Sequence, residues 1–302
     1  EVLFPQEQSF ALFRGQLWKG KRKLASLSEP KLGASDALML YAIVFPLSYF
    51  VSTLALGAKP GLVILVQQWG VLFGFSLLLA TVARVKVHET FLLRLPRLTS
   101  LVATLLVLAG GMVLVRKYAF FQEQWLPAPK MIEEGFVKIF KDASGGSLAV
   151  LLFLGAFSPA VCEEVLFRGF ILNGLRSRLS KWQCLMLNAV LFGALHMLVY
   201  QFVPTAALGL LLAWIAWETG SLLPCVLFHF LNNALALSFM HFTNYGESGD
   251  KLEAAGGWQA VLARLQGGAY PWWWAAAAAA MMVAGCWMMV KNGRMGKEGV
   301  MK

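Results

Sequence analysis

Eight stretches of this 302-residue chain are each about as long and apolar as a bilayer-crossing helix must be, roughly 20 residues. They occupy residues 37–56, 61–83, 98–115, 148–175, 182–202, 204–217, 221–240 and 272–290, with 204–217 the shortest. Composition agrees: 58% of residues are hydrophobic and 14% charged, against about 45–50% and about 25% in soluble domains. A surface so poor in charge would not keep a soluble protein dispersed. A soluble enzyme, a disordered chain and a nucleic-acid binder with a basic surface are excluded, so no nucleic-acid partner is expected. The expected fold is all-α, a polytopic membrane protein with about eight transmembrane helices.

The net charge of +10 follows from topology, because Lys and Arg collect on cytoplasmic loops. With the N-terminus inside, the inner segments hold Arg14, Lys19, Lys21, Arg22, Lys23 and Lys31, then Arg84, Lys86, Arg94 and Arg97. They also hold Arg176, Arg178 and Lys181, and finally Lys291, Arg294, Lys297 and Lys302. The outer loops 116–147 and 241–271 carry fewer bases and seven of the 16 acids. Both termini are therefore expected in the cytoplasm. Residues 1–33 read as a basic segment: Phe10, Phe13, Leu17 and Leu24 fall at helical spacing beside the bases. That suits a helix on anionic headgroups, and a solvated tail that only sets topology fits equally. Residues 34–302 read as one transmembrane domain, with 128–146 a polar loop holding a short amphipathic helix. Cys162, Cys184, Cys225 and Cys286 lie in apolar segments without metal-type spacing and read as small buried hydrophobes. No secretory signal peptide is visible.

Most of the apolar stretches hold no charge. The exceptions are Glu163, Glu164 and Arg168 in the fourth, His196 in the fifth, and His229 with Asn232 and Asn233 in the seventh. An ionisable side chain at membrane depth costs several kcal/mol and marks a functional candidate. With a rise of 1.5 Å per residue, Glu163 lies about 18 Å from the cytoplasmic end of its helix, His196 about 21 Å, His229 about 12 Å and Asn233 about 18 Å. Three separate helices bring polar groups to a similar level.

Glu164 and Arg168 are i,i+4 with the acid N-terminal, the favourable ion-pair order. Glu163 is rotated about 100° from Glu164 and can face a different cavity. A carboxylate there can serve as general base on water. His229 and Asn233 share a helix face and can donate to a developing oxyanion. Taken singly, His196 or an Asn at a helix interface is as readily a helix–helix hydrogen-bond partner, and the Glu164–Arg168 pair alone reads as structural. Adjacent acids and two His at matched depth carry more weight. Zinc is the weaker reading, since no HExxH motif occurs.

Cys162-Glu163-Glu164-Val165-Leu166-Phe167-Arg168-Gly169 resembles the EExxxR motif of the CAAX protease and bacteriocin-processing (Abi) family, the intramembrane glutamic endopeptidases. Phe192-Gly193-Ala194-Leu195-His196 resembles its FxxxH motif, and His229-Phe230-Leu231-Asn232-Asn233 its HxxxN motif. The segment 218–222 is similar to the family's turn before the last motif helix. Order and spacing agree over a motif core at 148–240. The resemblance implies that Glu163 activates the hydrolytic water with help from His196. It implies that His229 and Asn233 stabilise the oxyanion, and that Glu164 and Arg168 support the site. It further implies no cofactor, no metal and no nucleophile at Ser158 or Cys162.

The substrate implied is a membrane-associated or CAAX-like protein or peptide. Eukaryotic members trim prenylated CAAX proteins, and bacterial members are linked to bacteriocin maturation, self-immunity or peptide signals. The Trp- and Met-rich composition favours a bacterial inner (cytoplasmic) membrane. The start at Glu1 and the basic tail are similar to bacterial fusions with an ABC-transporter permease half, an expectation of such a fusion or partner. Two other classes compete. An ion-coupled transporter would use the same buried Glu, His and Arg, but no inverted repeat is visible. A non-catalytic immunity or scaffold protein would not need the motif residues intact.

Overall fold

A computed structural model describes residues 31–54, 59–244 and 270–298. The apolar stretches become helices because each must satisfy its backbone hydrogen bonds internally in lipid. In chain order these are α1 (Ala34–Leu54), α2 (Pro60–Val82) and α3 (Leu98–Glu123). There follow α4 (Lys130–Ser144), α5 (Leu148–Leu175), α6 (Lys181–Leu195), α7 (Val199–Thr219), α8 (Leu223–Asn244) and α9 (Trp272–Glu298). Among the described residues there is no strand, and seven helices are long and apolar enough to cross a membrane. The eighth apolar helix, α6, has only 15 residues. The protein is an all-α, multi-pass membrane protein. The proposed interfacial helix in 1–33 and most of the loop 241–271 lie outside the described residues.

The boundary between the fifth and sixth stretches differs from expectation. The fifth stretch was placed at 182–202 and the sixth, the shortest, at 204–217. Instead α6 ends at Leu195, Met197 takes a left-handed backbone (φ 57°), Leu198 is extended, and α7 starts at Val199. Pro204 lies inside α7. A helical proline deprives the carbonyl four residues earlier of its donor, here that of Tyr200. Gln122 of α3 replaces it, its Nε2 donating to Tyr200 O at 2.6 Å. A side-chain donor from a neighbouring helix makes an intramembrane proline tolerable. Lys181 and Glu218 form an ion pair that closes the other end of this hairpin. Gly220 takes the left-handed backbone (φ 62°) that ends α7 and turns the chain into α8.

α5 sits in the middle: 72% of its apolar window is buried, whereas no other span exceeds 39%. It is therefore the helix that can carry charges away from lipid. α1, α2, α6, α7 and α8 all pack against parts of it.

Among the described residues, α3 and α9 form the most extensive helix–helix contact. A Cβ on Gly110 would lie 2.4 Å from Ala278 O, and one on Gly285 2.8 Å from Ala103 O. Small residues let membrane helices approach to backbone contact, and the run Ala275–Ala280 supplies part of that flat face. Gly110→Leu is expected to force the pair apart and destabilise the protein by about 1–3 kcal/mol. Thermal unfolding in detergent measures this, and an unshifted midpoint would contradict the packing.

α4 is the amphipathic helix expected in 128–146. It ends at Gly145 and Gly146, both left-handed (φ 57° and 80°). Its Phe140 packs with Leu151, Ala156 and Leu237. Phe140 also fills the space a side chain on Gly155 would need, since a Cβ there would meet its Cε1 at 2.6 Å.

Candidate active site

The acids lie on a short α-helical stretch of α5, Ser158–Glu164, between two π-helical turns at Phe153–Phe157 and Val165–Ile171. α2 has a third such stretch at Val66–Gly74. π-turns often accompany functional sites, because the wider turn redirects side chains and loosens the backbone ladder. Phe167 O, which accepts the N–H of Leu172 at the end of the second π-turn, takes a further bond from Asn188 Nδ2 of α6 at 2.8 Å.

Glu164 and Arg168 are fully buried. Arg168 Nη1 donates to Glu164 Oε1 at 3.0 Å, and Nη2 donates to Gly209 O of α7 at 3.0 Å. Its guanidinium stacks over Phe192, 4.5 Å from the ring centroid. Gly209 matters for this contact, since a Cβ there would press on Phe192 at 3.0 Å. The i,i+4 pairing read from the sequence is present, with a backbone acceptor and an aromatic face added by neighbouring helices.

His229 of α8 is buried and addresses both acids. Its Nδ1 lies 2.8 Å from Glu164 Oε1, and its Nε2 lies 3.9 Å from Glu163 Oε2. A carboxylate only accepts, so Nδ1–H is the donor in the shorter contact. The 100° offset of the acids places them at opposite nitrogens of one imidazole, not in separate cavities. Glu163 is held from the other side by Gln68 of α2, whose Nε2 donates to Glu163 Oε1 at 3.1 Å. Beside it, Trp69 Nε1 donates to Ser158 Oγ at 3.0 Å and ties α2 to α5.

The remaining two residues stand further out. Asn233 donates through Nδ2 to Gly155 O at 3.3 Å and accepts from Asn232 at 3.1 Å. It therefore leans on the π-turn of α5. His196 caps the end of α6, with Nδ1 3.0 Å from Phe192 O. That carbonyl fixes the proton on Nδ1 and leaves Nε2 as an acceptor. Among the described residues no hydrogen bond or ion pair joins His196 to Glu163. Phe192 is the shared neighbour of the two imidazoles, edge-on to His196 at 5.2 Å and to His229 at 6.0 Å.

A buried carboxylate pair, an imidazole between its members and a guanidinium behind them can move a proton and stabilise a developing charge without leaving the membrane. Among the described residues no three His, Cys, Asp or Glu side chains gather in metal-ligand geometry. The four cysteines are free, and Cys162, Cys184 and Cys225 are buried.

Fold and site define a multi-pass membrane protein with an ionisable centre inside its helix bundle. Residues 145–235 match the family model described as type II CAAX prenyl endopeptidase, Rce1-like. All seven fixed motif positions fall inside that match. The curated proteins and the solved structures give no match. The family supports a membrane protease.

Gln68 and Asn188 were not singled out from sequence. The depth argument would have reached Gln68. It lies 15 residues before Ala83, about 22 Å from the end of its helix, level with Glu163 and Asn233. Neutral amides raise no alarm in a hydropathy reading, and that is why it was passed over.

Proposed function

We propose that this protein is a metal-independent intramembrane glutamic endopeptidase, hydrolysing a peptide bond in a membrane-associated or CAAX-like substrate. The carrying observation is the trio Glu163–His229–Glu164, set at 3.9 and 2.8 Å inside the segment that matches the protease family. Glu163 takes a proton from the hydrolytic water as its oxygen attacks the scissile carbonyl carbon. The tetrahedral oxyanion accepts an Nε2–H hydrogen bond from His229, which enters the cycle as the imidazolium with its Nδ1–H anchored on Glu164 and leaves it unchanged. Asn233, one turn further along α8, offers its second amide hydrogen to the same charge. Collapse breaks the C–N bond, and the proton held by Glu163 passes to the leaving amine. Arg168 balances the charge of Glu164 and keeps it an acceptor for His229. His196 assists from the end of α6, with its free Nε2 as acceptor.

The substrate class follows from where the site lies. A centre about 18 Å from the helix ends suits a peptide brought in on a lipid or apolar anchor. The charge distribution supports cytoplasmic termini, and the composition supports a bacterial cytoplasmic membrane, with an ABC-transporter permease as fusion or partner. The test is direct. Purified protein in nanodiscs is incubated with membrane-tethered peptides, prenylated and not, with and without a strong chelator, and products are read by mass spectrometry. A single internal cut that survives chelation is expected. Cleavage that requires added zinc, or none with any tethered peptide, would overturn the reading.

A further inference from the structure

We infer that Gln68 is a working part of the same centre: it fixes the rotamer of Glu163 and, with it, holds the hydrolytic water. The inference rests on the protease reading above and adds a residue from outside the family-matched segment.

Gln68 lies on α2, on a different helix and 95 residues away in sequence from Glu163. It is 8% exposed, and Glu163 7%. A primary amide inside a membrane helix costs free energy unless it is bonded, so its placement needs a reason. The amide has two ends. Its Nε2 is committed to Glu163 Oε1 at 3.1 Å, and since a carboxylate cannot donate, the amide's orientation is chemically fixed. That leaves its Oε1 on the far side, buried and without a protein donor.

Glu163 repeats the pattern. Oε1 is taken by Gln68, while Oε2 is buried without a protein donor and sits 3.9 Å from His229 Nε2. Two linked side chains thus each turn one buried acceptor oxygen to the interior. A buried polar site of this kind is served by water, which needs two to four polar partners. A water donating one hydrogen to Glu163 Oε2 and the other to Gln68 Oε1 keeps a lone pair free for attack. The proton leaving toward Glu163 Oε2 needs no rotation of either group. Trp69, bonded to Ser158 in the next residue position, holds this part of α2 against α5.

Three readouts separate this role from a structural one. Gln68→Met keeps the volume and removes both polar ends. It is expected to lower kcat about 100-fold, the scale of a reacting group displaced by an ångström. KM should stay within about twofold, because no substrate contact is lost. The thermal midpoint should not fall. Gln68→Glu keeps the shape but replaces the donor with an acceptor against Glu163. Glu163 is faced by His229 from α8, and Cys162, Glu164 and Arg168 stand near it on its own helix. A further carboxylate at 3.1 Å disfavours ionised Glu163, so the acidic limb of the rate profile should move to higher pH.

If Gln68→Met cleaves within about threefold of the parent, the inference fails. It also fails if Gln68→Glu leaves the pH profile in place. Should Gln68→Met not fold, the profile of Gln68→Glu decides alone. Glu163→Gln, assayed in parallel, separates the two claims. If Glu163→Gln still cleaves, the protease mechanism itself is wrong. If Glu163→Gln is silent while Gln68→Met is normal, only the role of Gln68 falls.

Discussion

Glu163→Gln is expected to lower kcat on a tethered peptide about a thousandfold, the middle of the range for removing a general base. The substitution keeps volume and keeps an oxygen for Gln68 to bond, so the helix bundle has no reason to change. What is lost is the ability to take a proton. KM should move little, since the interaction removed is made in the transition state. Steady-state kinetics in nanodiscs, with circular dichroism on the same preparation, checks both halves. A variant with KM raised and kcat intact would assign Glu163 to substrate binding instead.

Arg168→Ala should act on the fold first. Among the described residues it leaves buried Glu164 with only His229 as a side-chain hydrogen-bond partner, and it opens the space between Phe192 and Gly209. Breaking one side of a buried pair costs about 3–5 kcal/mol. That is a large share of the stability of an ordinary domain, about 5–15 kcal/mol. The thermal midpoint should drop steeply and activity should vanish with it. Removing both charges tests the cause: Glu164→Gln with Arg168→Met should recover most of the stability, because buried pairs exchange for neutral groups at little cost. It should recover no activity, since His229 has lost its anchoring carboxylate. Equal instability in the single and double variants would show that shape, not charge, holds this part of α5.

Much of this was legible in the sequence, and the exceptions have physical reasons. The fourth apolar stretch was placed at 148–175, and α5 spans Leu148–Leu175, because its ends are marked by loops with Gly and Arg. The Glu164–Arg168 contact followed from helical spacing, which a π-turn starting at Val165 did not disturb. The break after Leu195 did not follow, because nothing in Leu195-His196-Met197-Leu198 is a breaker by type. The obvious breaker, Pro204, is neutralised by a donor from another helix, which no local pattern reveals. The partners of His229 were also hidden: spacing shows which residues share a face but not what stands opposite. Gln68 was invisible to a search for charge, though visible to one for depth.

The early end of α6 has a consequence for how reactants arrive. Fifteen helical residues reach about 22 Å, while the hydrocarbon layer is about 30 Å thick. The corner at His196-Met197-Leu198 therefore stops roughly 8 Å short of the opposite interface. Within it the N–H groups of His196 and Met197 bond back to Gly193 O and Ala194 O, and Leu198 O accepts from Gln201 N–H. Either lipid is pinched down to that corner or solvent dips to meet it. On the proposed hydrolytic reading, both cases would bring water toward the centre from one side of the bundle, with His196 nearest to it. A protease buried in oil must solve delivery of its second substrate, and on the proposed reading a helix that is too short would provide the route.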